Sequence, residues 1–332
     1  GLSFIGGSQI NNEECYQNIK MARALGVVYI DNQTRVCHAN TPPAMGAAFG
    51  RGAMTNPWGD LKNTQLVWIE GSNLAECHPM GLKNVMAARE DHGTRIVHVD
   101  VRYTRTSKIA DDYFQLRPGT DIVFLGYIIS QMLETGKFNR EYVLRNTNGA
   151  CLLRDDYHFE DGLFSGYDEA AKSYDMETWG YALGADGKPQ KADDLFAPNT
   201  VLSRLKEHYS RYTLDMVTNI TGMPAEDVKR AAQIWLDNDK PAVMMYALGM
   251  TQHTVGVQNI RCFTIMQLLK GNIGISGGGI DAMRGQPNVQ ASTDFGIEFN
   301  MQAISWLRRI RPIRWPNGPR HTVRSAASGM SI

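Results

Sequence analysis

The chain has 332 residues, enough for about two domains with hydrophobic cores. Apolar residues make up 43% and charged residues 20% of the sequence, which excludes a disordered or fibrous protein. Basic and acidic residues both number 34, and this net charge of zero argues against capture of nucleic acid or anionic membrane as the main function. Because no apolar run reaches about 18 residues, no membrane span is predicted.

The predicted elements alternate between strands and helices. Strands are predicted at residues 1–6, 66–69, 95–100, 113–116 and 242–247. Helices are predicted at residues 12–25, 79–91, 122–133, 224–236 and 255–269. A strand, a glycine-containing turn, a helix and a second strand within about 35 residues form a βαβ unit. We therefore predict an α/β fold with a parallel sheet, whose ligand sites lie at the carboxyl ends of the strands.

Two regions depart from this alternation. Residues 150–200 are acidic, aromatic and rich in turns, and we interpret them as a surface insertion. The segment from residue 299 onward contains no acid but six arginines, Arg308, Arg309, Arg311, Arg314, Arg320 and Arg324. We interpret residues 301–332 as a basic tail. It is either an interaction segment or out-of-frame or disordered sequence, and the residues leave both alternatives open.

The cysteines offer one candidate for chemistry. Their number is odd, at five, and no pair forms a CxxC motif, so the sequence predicts no disulfide framework, zinc knuckle or iron–sulfur run. Cys37 and His38 are adjacent, as in a nucleophile–base pair or a soft-metal ligand beside a proton acceptor. A buried structural cysteine is the alternative. On a strand, neighbouring side chains point to opposite faces, so the spacing alone does not pair them.

Glycine-rich loops provide further candidates. Three glycines at 277–279 precede Arg284, whose planar guanidinium matches a carboxylate or a phosphate, although a solvated loop arginine is the alternative. The turns at 71–73, 100–102, 118–121 and 249–252 together favour a large, nucleotide-like ligand. None matches a dinucleotide fingerprint or a P-loop. The histidines form no HxH or HExxH group, which argues against a metal site built from histidine.

Seven motifs occur in a distinctive order along the chain: INNEECY (10–16), RVCH (35–38), FGRGAMTN (49–56), GSNLAECHP (71–79), RPGTD (117–121), YALGMTQH (246–253) and GGGIDAMRGQPN (277–288). Together they resemble one family, the catalytic subunits of molybdenum- or tungsten-dependent formate dehydrogenases. These enzymes belong to the molybdopterin oxidoreductase (DMSO reductase) superfamily, which binds bis(pterin guanine dinucleotide) cofactors. The resemblance covers about residues 2–298. FEDGLF (159–164) and SRYT (210–213) resemble the respiratory, periplasm-facing branch.

The resemblance implies a role for each matching residue. Cys37 would ligate Mo or W, His38 would accept a proton, and Arg284 would orient formate during its oxidation to CO2. The residues implied to contact the cofactor are Gly71, Asn73, Glu76, Asp100, Arg102, Gly119, Asp121, Gly249, Thr251, Gln252, Gly285 and Gln286. A nitrate reductase of the same superfamily and a non-catalytic, cofactor-free fragment or pseudogene product are the alternatives.

The resemblance also implies a domain organisation and partners. We expect a Rossmann-like pterin-binding domain at 33–286, with pieces of a second α/β domain at 1–32 and 287–300. Members of the family carry a [4Fe–4S] cluster. This chain has no ligands for the cluster, so we expect it in another part of the full-length protein. Two electrons would pass to an iron–sulfur subunit. A membrane cytochrome subunit is a further candidate partner, and no nucleic-acid partner is expected. The implied location is periplasmic, although no signal peptide is present.

Overall fold

A computed structural model of the chain describes residues 2–160 and 163–295. Its strands are β1 (Ser3–Gly6), β2 (Tyr29–Asn32), β3 (Leu66–Glu70), β4 (Arg95–Asp100), β5 (Asp112–Gln115), β6 (Phe159–Glu160), β7 (Leu163–Phe164), β8 (Tyr167–Asp168), β9 (Ser173–Tyr174), β10 (Ala242–Tyr246) and β11 (Gly279–Ala282). Its helices are α1 (Asn12–Ala24), α2 (Thr41–Phe49), α3 (Leu74–Cys77), α4 (Pro79–His92), α5 (Arg105–Ile109), α6 (Asp121–Thr135), α7 (Arg140–Asn146), α8 (Val201–Tyr209), α9 (Leu214–Thr221), α10 (Ala225–Asp237), α11 (Leu248–Thr251), α12 (Gly256–Lys270) and α13 (Val289–Asp294).

A five-stranded parallel sheet in the order β11-β10-β3-β4-β5 forms the centre of the fold. Every residue of β3 and β10 is buried, as expected where helices cover both faces of a parallel sheet. Trp68 pairs with Met244 on one side and Val97 on the other, which sets the register of the three central strands. The predicted α/β fold with a parallel sheet is therefore confirmed.

The alternation along β3 divides the core into two layers. Trp68 faces α6 and α10, where its ring stacks on Phe124 at 6.1 Å and meets the edge of Trp235 at 5.9 Å. Val67 and Ile69 face the other way and pack with α4 and the short helical segment at 58–63. Both faces of the sheet are thus covered, so ligands reach the sheet only at the ends of its strands.

Glycine and asparagine set several helix boundaries where the sequence predicted them. Asn11 caps α1, accepting a hydrogen bond from the Glu14 backbone N–H at 2.8 Å. Gly93 ends α4 and Gly271 ends α12, both in the left-handed conformation that glycine adopts without strain. The sequence analysis missed α2, whose threonine–proline–proline start and nearly continuous apolar surface hide the helical period.

The two ends of the described chain lie together. β1 and β2 form a separate two-stranded parallel sheet, and α13 packs against α1. The Asn288 side chain donates to the Ile10 carbonyl at 2.8 Å, and its backbone N–H donates to the Ser8 carbonyl at 3.2 Å. The division into domains stays a prediction, and the predicted tail at 301–332 lies outside the described residues.

Two small antiparallel ribbons make up much of the insertion at 150–200. β6 pairs with β7 and β8 pairs with β9. The ring centroids of Phe164 and Tyr174 lie 5.1 and 5.4 Å from that of Trp179. Aromatic contacts of this kind stabilise the two ribbons. Within residues 2–160 and 163–295, no helix is both long and apolar enough to cross a membrane.

We predict that Asp281 makes stability depend on pH. Its side chain is fully buried on β11, and neither carboxylate oxygen has a hydrogen-bond partner among the described residues. Burial, together with the nearby charge of Asp60, raises the pKa of Asp281 to about 7. The folded protein therefore keeps a proton that the unfolded chain releases at lower pH, so the free energy of unfolding falls as pH rises from about 4 to about 7.

Replacing this carboxyl group removes the dependence. In urea unfolding between pH 4 and pH 8, the wild type should lose up to about 4 kcal/mol more stability than Asp281→Asn, whose amide does not titrate. The exposed Asp91→Asn on α4 serves as the control for the loss of one carboxylate. Equal slopes for the wild type and Asp281→Asn would contradict the prediction.

Candidate active site

The strand order reverses between β3 and β10. The chain builds β3, β4 and β5 in one direction and later adds β10 and β11 on the other side of β3. Loops that leave the sheet in opposite directions create a crevice at the carboxyl ends of the strands, where ligands of such sheets bind. The predicted site residues follow the strands at this edge or lie in segments packed against it.

The loops after β3 and β10 contact each other backbone to backbone. The Gly249 N–H donates to the Gly71 carbonyl at 2.9 Å. A Cβ on Gly249 would lie 2.4 Å from the Gly71 Cα, and a Cβ on Gly71 would lie 2.7 Å from the Gly249 carbonyl carbon. Gly71 also has a φ of +61°, which strains other residues. Only glycine at both positions allows this approach.

Cys37 and His38 lie at the end of a tight turn rather than on a strand. The turn is a 3-10 helix at Gln33–Val36, and the Asn32 side chain caps it by accepting from the Thr34 N–H at 2.8 Å. Because the backbone turns here, the alternation of a strand does not apply, and both side chains point inward. Cys37 is 7% exposed and His38 is fully buried.

The Cys37 thiol faces the loop after β11. Its Sγ lies 3.8 Å from the Gln286 Oε1, and a Cβ on Gly285 would lie 4.0 Å from Sγ. Burial raises the pKa of Cys37, while the Gly285 backbone N–H and the Arg284 guanidinium both lower it. These two groups would stabilise a thiolate, the form of cysteine that binds metals.

His38 is neutral in this environment. Neither ring nitrogen has a hydrogen-bond partner among the described residues. Burial is the largest cause that lowers the pKa of His38, followed by the charge of Arg284 and by His78, and together they bring it to about 3. The imidazole can therefore accept a proton at neutral pH, but it is a weaker base than an exposed histidine.

Two hydrogen bonds fix the position of Arg284. Its Nη2 donates to the Gly52 carbonyl at 2.9 Å, and its own backbone carbonyl accepts from His78 Nε2 at 2.8 Å. The structure thus brings the three predicted catalytic residues together at the end of β11, with Arg284 close enough for its charge to act on both Cys37 and His38. Their roles stay predictions.

The loop after β10 holds the segment that carries Cys37. Gln252 Nε2 donates to the Val36 carbonyl at 2.6 Å, and the Asn40 side chain donates to the Thr251 carbonyl. The sequence analysis missed Asn40, because a hydrogen bond between such distant positions leaves no local signal. The cleft of about 360 Å³ at this junction is lined by Arg35, Val36, Cys37, Ala39, Asn40, Thr251, Gln252 and His253.

A second group of predicted residues lies at the ends of β3 and β4. The Asn73 side chain donates to the Glu76 carboxylate, which also pairs with Arg105 at 3.3 Å. The Asp100 Oδ1 accepts from the Val101 N–H at 2.7 Å. These side chains bond to their neighbours, which fixes their orientation at the rim of the crevice.

The remaining predicted residues of the rim are Arg102 and Gly119. Arg102 is exposed in the loop after β4. Gly119 has a φ of +77° in the turn before α6, and a Cβ there would lie 3.6 Å from the His253 ring. Gly119 and His253 therefore bring the loops before α6 and after β10 into contact.

A buried pair of carboxyl groups, Glu70 and Asp121, lies beneath this rim. Glu70 Oε2 accepts from the Trp68 indole N–H at 2.8 Å, while Glu70 Oε1 and Asp121 Oδ2 have no partner in the described part of the chain. Burial is the largest cause that raises the pKa of each. One proton shared between the two groups would satisfy both unpartnered oxygens. The sequence analysis missed Glu70, whose position at the end of a buried strand is its only signal.

Other buried polar atoms at the same edge also lack partners among the described residues. They are the Ser72 hydroxyl, the Thr251 hydroxyl and His253 Nδ1, all in the loops after β3 and β10. Buried polar groups are normally hydrogen-bonded, and leaving one unpaired costs about 1–3 kcal/mol. Their concentration at one edge indicates a polar ligand that spans several loops.

We predict that the contact between Gly71 and Gly249 stabilises the protein. Gly249→Ala forces the two loops apart and should lower the free energy of unfolding by about 1–3 kcal/mol in urea denaturation. Gly59→Ala is the matched control, because a Cβ there meets nothing within 4 Å. Equal stabilities for the two variants would show that the loops can separate without cost.

Comparison with known proteins places these residues in a family. The model of the molybdopterin oxidoreductase family matches residues 1–313. The chain is 43% identical to formate dehydrogenase 2 subunit alpha (cytochrome c-553) of Nitratidesulfovibrio vulgaris, over 99% of this chain and 33% of the relative. It is 45% identical to the major subunit of the nitrate-inducible formate dehydrogenase of Escherichia coli, over 87% of this chain and 29% of the relative.

Solved structures show the same fold. The chain matches acetylene hydratase from Pelobacter acetylenicus with a TM-score of 0.57 at 16% identity, over 83% of this chain and 30% of that protein. This likeness concerns the fold alone. The chain spans about a third of the length of the curated relatives it matches. With the family match covering nearly the whole sequence, the chain belongs to the molybdopterin oxidoreductase family.

Proposed function

We propose that the chain is part of a formate dehydrogenase catalytic subunit and that the complete subunit oxidises formate to CO2 at a Mo or W centre. The observation that carries the proposal is the convergence of the Cys37 thiol, the Arg284 guanidinium and the neutral His38 imidazole at the end of β11. The two relatives named above, at 43% and 45% identity, support the same assignment.

The residues present fit a metal–pterin cofactor. Cys37 would hold the metal, since thiolates suit soft metals and two neighbouring groups favour its deprotonation. The unpartnered hydroxyls of Ser72 and Thr251, His253 Nδ1 and Asp121 Oδ2 would meet the polar groups of the organic part. When bound, the cofactor supplies an acceptor for two electrons. We propose its guanine dinucleotide form, because a ligand of that length would span the loops from β4 to β10.

Arg284 would bind the substrate carboxylate. A guanidinium offers two parallel N–H donors to the two oxygens of formate, which fixes both the position and the direction of the C–H bond. The hydrogen bonds to Gly52 and His78 already hold this residue before substrate arrives, so little ordering is needed on binding. Partial burial of the site would strengthen the attraction by excluding water.

His38 would accept the proton that formate oxidation releases. It is neutral and has two nitrogens without partners among the described residues, so one of them, Nδ1 or Nε2, can take the proton. The low pKa arises from burial first and then from the charge of Arg284. The negative charges of a Cys37 thiolate and a bound formate would raise that pKa and make His38 a better base.

The complete enzyme would need more than this chain. We propose a [4Fe–4S] cluster elsewhere in the full-length subunit, an iron–sulfur subunit as the electron acceptor and a membrane cytochrome subunit as a further partner. A periplasmic location fits the respiratory branch that the insertion resembles. The relatives named above are described as alpha or major subunits, which supports an assembly of several subunits.

The role of Arg284 leads to a direct prediction. Arg284→Lys keeps the positive charge but loses the two parallel donors, so formate turnover by the holoenzyme should fall by about 100-fold or more. The metal content should stay at the wild-type level, because the metal ligand is unchanged. Formate-dependent dye reduction and metal analysis measure the two quantities.

Arg145→Lys provides the matched control. Arg145 lies on α7, where it is exposed and pairs only with Glu141 of the same helix in the described residues. This variant should retain wild-type turnover. Unchanged formate turnover in Arg284→Lys would exclude Arg284 from substrate binding and would remove the main support for formate as the substrate.

A further inference from the structure

His78 connects the start of α4 to the active-site loop. Its Nε2 lies 2.8 Å from the backbone carbonyl oxygen of Arg284, a residue 206 positions further along the chain. Because a carbonyl oxygen only accepts, Nε2 carries the hydrogen and donates it. This bond holds the main chain of Arg284. It therefore fixes the backbone from which the side chain extends, and it does not hold the guanidinium directly.

His78 is itself held firmly. Its backbone N–H donates to the Leu74 carbonyl at 2.9 Å, and its carbonyl accepts from the Gly81 N–H at 3.0 Å, so α3 and α4 both restrain it. The imidazole meets the ring of Trp58 edge to face at 5.8 Å. A Cβ on Gly81 would lie 3.3 Å from Trp58, which shows how closely that ring packs on the helix. His78 is therefore a rigid anchor.

The anchored carbonyl adjoins two residues that face the Cys37 thiol. Arg284 is followed by Gly285, where a Cβ would lie 4.0 Å from Sγ, and then by Gln286, whose Oε1 is 3.8 Å from Sγ. A shift of the peptide between Arg284 and Gly285 would change the spacing between the guanidinium and the thiol. Moving the guanidinium out of place would weaken its two parallel hydrogen bonds to a carboxylate.

We propose that His78 is a positioning residue that sets the distance between Arg284 and Cys37 by holding the Arg284 carbonyl. This inference rests on the proposed function, in which Arg284 binds formate and Cys37 holds the metal. The His78 Nε2 bond reaches Arg284 at its backbone carbonyl. It acts through the main chain of the loop, and so its loss should weaken substrate binding without removing the metal.

The test compares three variants of the full-length holoenzyme. His78→Ala removes the donor, His78→Gln keeps an N–H at a similar reach, and His92→Ala removes an exposed histidine at the other end of α4. In His78→Ala, the KM for formate should rise about tenfold with a smaller change in kcat. His78→Gln should recover most of the wild-type KM, and His92→Ala should match the wild type.

A second readout does not depend on activity. Hydrogen–deuterium exchange of the peptide covering residues 283–287 should accelerate in His78→Ala and return toward the wild-type rate in His78→Gln, since the bond restrains that loop. Exchange in the central sheet should stay unchanged in all variants, which separates local release of the loop from general destabilisation. Metal content should be equal throughout.

Two results would overturn the proposal. Wild-type exchange and KM in His78→Ala would show that the bond does not position the loop. Equal changes in His78→Ala and His78→Gln would show that the donor is not what matters. If exchange follows the expected pattern but no variant, including the wild type, oxidises formate, the proposed function fails while the anchoring of the loop by His78 stands.

Discussion

The contact between the backbones of Gly71 and Gly249 is the constraint on which the rest of the site depends. It joins the loops after β3 and β10 at the point where the strand order reverses. Predicted site residues follow β3 and β4 in one group and lie near Cys37 in another. A side chain at either glycine would separate the loops and change the geometry of both groups.

Burial then decides the chemistry of the residues around this contact. It raises the pKa of Cys37, Glu70 and Asp121 and lowers that of His38, because burial disfavours the charged form of each group. A metal at Cys37 would stabilise its thiolate, and a polar cofactor along the loops would supply hydrogen-bond partners to the buried polar groups. Buried polar groups without partners are costly, and a ligand that satisfies them gains affinity in return.

The sequence predicted much of the fold because its signals are local. The apolar run that starts at Leu66, the glycines that end α4 and α12, and the spacing of the βαβ unit each act within a few residues. The assembly of the site is different, because its contacts join distant parts of the chain. Cys37 and Gln286 are 249 residues apart, and only the resemblance to a family linked them before the structure was known.

For the same reason, the sequence did not predict the roles of the residues that support the site. Asn40 and His78 act by donating to backbone carbonyls, and any residue type can offer a carbonyl. Glu70 ends a strand that is otherwise apolar, and its importance comes from Asp121, which lies on another element. Patterns of residue types predict elements well, but they carry little information about hydrogen bonds to the main chain.

The most direct test of this account is the formate-driven reduction of the bound metal, measured by electron paramagnetic resonance in the wild-type holoenzyme and in Cys37→Ala. The account predicts about one Mo or W atom per wild-type polypeptide, reduced by formate, because Cys37 would hold the metal beside Arg284. In Cys37→Ala, formate should leave any retained metal unreduced. Equal reduction in the two proteins would contradict the account and would place the metal away from Cys37.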